Sequence, residues 1–558
     1  MFFQKLLFAS AACTSFALAQ FGDGPSVEIE SGTVTAFVKK GVESFKAIPF
    51  AKPPVGQLRL KPPQPYAGNF GKLQSGPLPA VGCPQFLLRL DPNNFVGETL
   101  ANITNGPLFQ RLEGASEDCL TLNVQRPVGT KPGDKLPVVF YIFGGGFLLG
   151  SNQLYSGDGV IEEAVKIGKP VVYVAANYRV GGFGFLGGKE IKKDGSSNLG
   201  LRDQRLALEW VADNIEAFGG DKDRVTIWGE SAGAISVYDQ TIINGGDITY
   251  KGSPLFRAAI MNSGSVVPAN DIDSVKPQRI YDTVVRNSGC RGKRNTLECL
   301  RRLPYKELLT AFNSVPGLFD YSSLDLSYLP RPDPGDNFFP QSPEVPGLAG
   351  KVARVPIIIG DQEDEGTLFS IVQYNVTTTM DLEDYLATYF LNADSKLISD
   401  LVDLYPDNPI AGSPFDSGFF NEIRPEFKRL AAILGDLTFT ITRRAYLDFA
   451  APQLPATWSY LNTYFKGTPI LGTFHGSDLL VNFFGLKPDI AAATRAYYVS
   501  FATDLDPNTA PNRFEWPKWT PEGKQLLEFS TFGPRLLEDT FRDRVGQLVL
   551  DNTARFRV

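Results

Sequence analysis

The stretch Val225-Thr226-Ile227-Trp228-Gly229-Glu230-Ser231-Ala232-Gly233-Ala234 constrains the fold of this chain more than any other. A run of strand character enters Gly-x-Ser-x-Gly, and helix-compatible sequence follows from Ala234. Strand, sharp turn and helix in that order form a nucleophile elbow. Such a turn holds Ser231 in a strained conformation, and its flanking residues must let strand and helix approach closely. Gly229 and Gly233 lack the Cβ that would prevent this. Ser231 then projects its hydroxyl above a sheet edge, at the positive end of the following helix.

The rest of the chain supplies the α/β pattern that an elbow needs. Leu136 to Phe143 is a near-continuous apolar run bounded by Pro137 and a glycine cluster, as expected of a parallel strand covered on both faces. Val171 to Ala176, Ala258 to Met261, Val355 to Ile359 and Trp458 to Tyr464 read as further strands. Arg202 to Phe218 carries Leu206, Trp210 and Ile215 near helical spacing and stops at Gly219-Gly220. Glu383 to Phe449 reads as mainly helical. Ser26 to Lys39 predicts an edge hairpin broken at Ser31-Gly32, and Phe45 to Gly56 predicts an irregular surface connection rich in proline. Internal repeats and Gly/Ser linkers are absent from the sequence, so residues 20–558 read as one large domain.

With 558 residues, 43% of them hydrophobic, the chain can bury a large core. Its net charge of −7 disfavours nucleic acid as a partner. No stretch after the leader is apolar enough to span a membrane. Residues 1–19 read as a signal peptide: Lys5 gives the positive region, Leu6 to Phe16 the apolar core, and Ala17-Leu18-Ala19 the cleavage site. Secretion permits disulfides, and Cys83, Cys119, Cys290 and Cys299 remain beyond the leader. Of the three possible connectivities, the sequential one is simplest. Asn102 and Asn375 head glycosylation sequons. The segment 83–119 is a long loop with many large apolar residues, which argues for a functional role.

A serine hydroxyl needs a base to become a nucleophile. The chain contains one histidine, His475, set between Phe474 and Gly476 after the strand expected at Trp458 to Tyr464. By the order Ser, acid, His, an orienting carboxylate should lie between the two. Asp361, Glu363, Asp364 and Glu365 follow the strand Val355 to Ile359, and all four compete. Phe143-Gly144-Gly145-Gly146-Phe147 stands where backbone amides would receive a developing oxyanion.

These pieces resemble the type-B carboxylesterase/lipase family, in particular its secreted fungal branch of Candida rugosa-like lipases and sterol esterases. The likeness rests on Phe45 to Arg59, Ser116 to Val124, the elbow, Asp364-Glu365-Gly366-Thr367, Ser413 to Gly418 and Gly472-Thr473-Phe474-His475. It implies an α/β-hydrolase fold and a Ser231–His475–Glu365 triad. The oxyanion donors it implies are the amides of Gly145, Gly146 and Ala232. It also implies bridges Cys83–Cys119 and Cys290–Cys299, a lid within 83–119, and Phe147, Leu368, Phe369 and Phe415 beside the substrate. The implied chemistry uses no cofactor and no metal. Its partner is an ester, at a lipid–water interface for a lipase, and the protein acts as a monomer or weak homo-oligomer.

A short-chain or feruloyl-type carboxylesterase is the competing enzymatic reading, and the apolar length of the loop 83–119 favours lipid-like esters over it. A non-catalytic adhesion module is the competing reading of another class. Such proteins lack a triad residue, whereas Ser231, Glu365 and His475 are all present here.

Overall fold

The computed structural model describes residues 24–77, 81–86 and 115–558. The expected leader at 1–19, the sequon at Asn102 and most of the expected lid lie outside these residues.

The core is an eleven-stranded sheet. Its strands in chain order are β1 (Phe37–Lys39), β2 (Val42–Pro49), β3 (Thr121–Pro127), β4 (Leu136–Ile142), β5 (Val172–Ala176), β6 (Gly220–Glu230), β7 (Ala258–Asn262), β8 (Ile357–Gln362), β9 (Thr457–Asn462), β10 (Gln525–Phe529) and β11 (Arg535–Glu538). Across the sheet they run β11-β10-β9-β8-β7-β6-β4-β5-β3-β2-β1. Strands β5, β4, β6, β7, β8, β9 and β10 are parallel, and the flanking pairs are antiparallel. Every residue of β5, β7, β8 and β9 is buried, so both faces of this region are covered. That double burial explains the apolar run of β5, most of β7 and the start of β8, while β8 and β9 also bury the polar residues Asp361, Gln362, Thr457, Ser459 and Asn462.

Helices supply the cover. Leu199–Asn214 follows the periodicity of Leu206 and Trp210, tightens into a 3₁₀ turn over Ile215–Phe218, and stops at Gly219, whose φ of 84° suits glycine. The region expected to be helical contains Thr379–Tyr389, Ser395–Asp403, Phe427–Gly435 and Ile441–Ala450.

Two expectations are corrected. Phe45 to Pro49 is not irregular but lies within β2, antiparallel to β3. Phe45 and Ile48 are fully buried there, and a register irregularity between them, with Ala47 at φ 61°, accommodates the departure from a regular strand. The stretch Ser26 to Lys39 divides. Ser26–Ile29 and Gly32–Thr35 form a hairpin in a separate three-stranded sheet with Lys72–Gln74, and Phe37–Lys39 becomes the edge strand of the main sheet.

The bridges are Cys83–Cys119 and Cys290–Cys299. Asn375 is exposed. Among the described residues, no helix is long and apolar enough to cross a membrane.

The register of the parallel strands prepares a site. Ile142 lies opposite Gly229, Glu230 opposite Asn262, Asn262 opposite Gly360, and Gln362 opposite Asn462. The carboxyl ends of β4, β6, β8 and β9 therefore open on one edge. The loops leaving them carry the glycine cluster, Ser231, the acidic stretch and His475. Ligand sites in open α/β sheets form at such edges.

Candidate active site

Ser231 stands between the end of β6 and the helix Ala232–Ile242, at φ 56° and ψ −126°. This is left-handed backbone territory that costs a side-chain-bearing residue energy. Packing enforces it. An added Cβ on Gly229 would lie 2.3 Å from the Gly233 carbonyl oxygen, and one on Gly233 would lie 2.1 Å from that of Ile142. The Ser231 amide donates to the Asn262 carbonyl at 2.9 Å. Asn262 is itself fixed: its Oδ1 accepts from the Trp228 indole at 2.7 Å, and its Nδ2 donates to the hydroxyls of Tyr460 and Tyr498. Asn262 is thus a second support for the elbow; sequence reasoning ended the strand at Met261, one residue short of it.

The Ser231 hydroxyl lies 2.7 Å from His475 Nε2, and His475 Nδ1 lies 2.5 Å from Glu365 Oε2. With a carboxylate facing Nδ1, the neutral ring keeps its proton there and leaves Nε2 free to accept from serine. The other Glu365 oxygen accepts from the Gln362 amide at 2.7 Å, so both carboxylate oxygens are engaged.

The remaining acids at the end of β8 and in the loop after it have other work. Asp361 pairs with the buried Arg443 at 2.6 Å. Glu363 faces Lys466 at 3.3 Å. Asp364 accepts from the Thr473 amide, the Phe415 amide and the Ser413 hydroxyl, while its own amide donates to the Thr473 carbonyl. It thereby fastens the His475 loop to the acidic loop. Burial still pushes its carboxyl up to about 6, against the pull of those donors. Gly472, at φ 60°, lies so close that an added Cβ would meet Asp364 Oδ2 at 2.1 Å. Gly366 admits the helix Phe427–Gly435, since its Cβ would fall 1.9 Å from the Ala431 carbonyl. In Asp364-Glu365-Gly366, then, the first residue holds the histidine loop, the second meets the ring and the third lets a helix close over both.

Two further carboxyls surround the imidazole. Glu230 Oε1 lies 3.6 Å from Nε2, and Asp478 sits on the helix that follows His475. Burial raises Glu230 well above the ordinary range, with the charges of Asp478 and Glu365 adding to it. Burial, then Glu365, pushes Asp478 up to about 7.

The glycine loop after β4 presses against the elbow: an added Cβ on Gly144 would meet Ser231 Cβ at 2.9 Å. Gly145 and Gly146 adopt φ of 111° and 62°, which lets the loop turn tightly beside the serine. Ala232 opens the helix behind Ser231, and its amide is among those left without a partner inside that helix.

Ser231, Ala232, Gly145, Gly146 and His475 face a cavity of about 670 Å3 whose wall is mostly apolar. Phe147, Leu368 and Phe369 border it. Phe415 does not face it. Its amide is taken by Asp364, and its ring lies beneath the Arg542 guanidinium at 4.5 Å.

Sequence reasoning also missed Phe439. Its ring centroid lies 4.5 Å from that of His475, and Phe369 packs on the same imidazole at 5.0 Å. Phe439 belongs to a π-helical turn, Asp436–Thr440, inserted between Phe427–Gly435 and Ile441–Ala450. Such turns carry no clear sequence signature and are frequent at functional sites. Here Asp436 anchors the turn through Tyr405 and Arg542.

The profile of the carboxylesterase family matches residues 23–542. The chain is 52% identical over 545 residues to secreted lipase 1 of Botryotinia fuckeliana, covering 96% of this chain and 94% of that protein. It is 44% identical over 549 residues to lipase 5 of Diutina rugosa, covering 96% and 97%. Among solved structures, EstA of Aspergillus niger superposes with a TM-score of 0.81 at 27% identity, covering 96% of this chain and 99% of that one. Profile, relatives and superposition agree, and the chain belongs to the carboxylesterase family.

Proposed function

We infer that this protein is a secreted hydrolase of lipid-like carboxylic esters, acting through an acyl-enzyme on Ser231. The observation that carries this reading is the relay from Glu365 through His475 to Ser231, with its serine end opening into an apolar cavity. The lipase names of relatives, among them a secreted triacylglycerol lipase of Gibberella zeae at 52% identity, support the lipid-like class and the extracellular location.

His475, oriented by Glu365, takes the hydroxyl proton as Ser231 attacks the ester carbonyl. Charge developing on the carbonyl oxygen is received by the amides of Gly145, Gly146 and Ala232, and such donors supply a large electrostatic share of catalysis. The imidazolium returns its proton to the departing alcohol. Water then repeats the sequence against the acyl-enzyme and releases the acid. The packing of Phe369 and Phe439 on the ring holds the imidazole in position. The lid of this reading lies within 83–119, a segment closed at its base by Cys83–Cys119.

Hydrolysis should be measured across acyl lengths, below and above the solubility limit of each ester. A rate increase on emulsified long-chain esters, abolished in Ser231→Ala, is the expected result. Best activity on dissolved short or feruloyl esters with no such increase would remove the lipid-like assignment. Full activity in Ser231→Ala would remove the mechanism.

A further inference from the structure

The helix that begins at the elbow brings a second polar residue to the wall of the same cavity. Ser231 caps the helix, and Ile235 and Asp239 follow at intervals of one turn, all three bordering the cavity. At the α-helical rise, Asp239 lies about 12 Å beyond the serine along the axis. The carboxyl is fully buried, and neither of its oxygens has a hydrogen-bond partner among the described residues. Burial alone pushes it well above the ordinary carboxyl range, with no cation contributing to offset that.

A carboxyl in an apolar wall without a partner is costly, and apolar replacement at such a site is ordinarily free of that cost. A protonated carboxyl offers one donor and acceptor capacity besides, and an alcohol hydroxyl can answer both. We propose that Asp239 is a specificity residue for the acyl chain, taking a hydroxyl carried on the chain some distance from the ester carbonyl. The preferred substrates are thus esters of hydroxylated acyl chains rather than only plain hydrocarbon ones. The proposal rests on the reading of the cavity as an acyl site for Ser231. In an unsubstituted acyl-enzyme a trapped water would take the hydroxyl's place, so the group discriminates without barring plain chains.

The test is a series of soluble esters, each bearing a single hydroxyl at successive acyl carbons, against the unsubstituted parent. The readout is the ratio of kcat/KM between each hydroxylated ester and its parent. For the wild-type protein the ratio should peak at one or two adjacent positions, by about tenfold or more. Asp239→Asn, which keeps a donor and an acceptor, should retain the peak, and Asp239→Leu should flatten it. A flat wild-type profile overturns the proposal, and so does a peak that survives in Asp239→Leu. Should the leucine variant fail to accumulate as folded protein, the wild-type profile and the asparagine variant decide. Loss of the peak in Asp239→Asn with the parent ester still turned over would also count against the hydroxyl bond. Because the parent ester reports on Ser231 chemistry itself, inactivity of the wild type on that ester overturns the acyl-site reading, whereas a flat ratio with active parent hydrolysis overturns only the role of Asp239.

Discussion

Replacing Glu365 by glutamine asks one question of the site: does the acid act by fixing the tautomer of His475? Both carboxylate oxygens of Glu365 are acceptors here, one for the Gln362 amide at 2.7 Å and one facing His475 Nδ1 at 2.5 Å. A glutamine amide has one acceptor and one donor end, so it cannot serve both. If its oxygen turns to His475, its NH2 faces the Gln362 N–H in a buried site, which costs about 1–3 kcal/mol for the unmet donor. If its oxygen stays on Gln362, its NH2 faces Nδ1, and the imidazole need only move its proton to Nε2 to satisfy every group. The second arrangement is cheaper, so it prevails. It is also inert, because Nε2 then presents a hydrogen to Ser231 where an acceptor is required. Asp-to-Asn replacement in a comparable triad lowers kcat by about 10⁴-fold for the same reason. Glu365→Gln should therefore be secreted with nearly unchanged melting temperature and with kcat reduced by about 10³–10⁴-fold. The chain's single histidine makes the tautomer directly readable, since its imidazole resonances have no rival in an NMR spectrum. Activity within tenfold of wild type, or a ring still protonated on Nδ1 in the variant, would refute the reasoning.

Gly233→Ala should lower both stability and turnover. Its Cβ would sit 2.1 Å from the Ile142 carbonyl, backbone against backbone, so strand and helix must separate by about an ångström. A displacement of that size between the glycine loop after β4 and Ser231 costs about 100-fold in kcat. Calorimetry and hydrolysis of a soluble ester measure the two effects, and a wild-type kcat would show the elbow is looser than its packing indicates. Stability should also fall as pH rises from about 4 to about 7. The folded state holds protons on Asp364 up to about 6 and on Asp478 up to about 7, whereas the unfolded chain releases them earlier. Their stabilisation is thus complete below the unfolded value and lost through the folded one; for Asp364 this is about 3 kcal/mol. Asp194 and Asp539, which burial would raise but their arginines bring down to about 2, contribute their changes below that window. Melting temperatures across the window measure the slope, and a steady rise with pH would contradict it.

Much of the sheet was legible because parallel strands buried on both faces are mostly apolar. β4 and β5, most of β7 and the first half of β8 show as short runs of aliphatic or aromatic residues, whereas β9 was marked by Trp458, Tyr460 and Leu461 between buried polar residues. β3 escaped notice for the opposite reason. Asn123, Gln125 and Arg126 are buried in it, and each is satisfied by a partner distant in sequence: the Ala47 amide, Ser44 and Asp158, and Glu43. A strand whose polar groups are matched only after folding has no apolar signature beforehand. β2 was hidden by prolines that begin only where it ends, at Pro49.

The site divides along the same line. Ser231 and the glycines at the elbow are local necessities of one tight turn, so the sequence displays them, and the solitary histidine left no choice of base. The acid was different. Asp361, Glu363, Asp364 and Glu365 lie within five residues, and their directions are set by Arg443, Lys466, the Thr473 amide and His475, all contributed by distant segments. Only a family likeness could single out Glu365 before those segments were in place. Asp239 was harder still. The helix Ala232–Ile242 is buried on every face, so it has no polar stripe from which a misplaced charge would stand out. A carboxyl on such a helix must be answered from inside the protein, and no side chain or backbone group among the described residues answers that of Asp239, which borders the cavity.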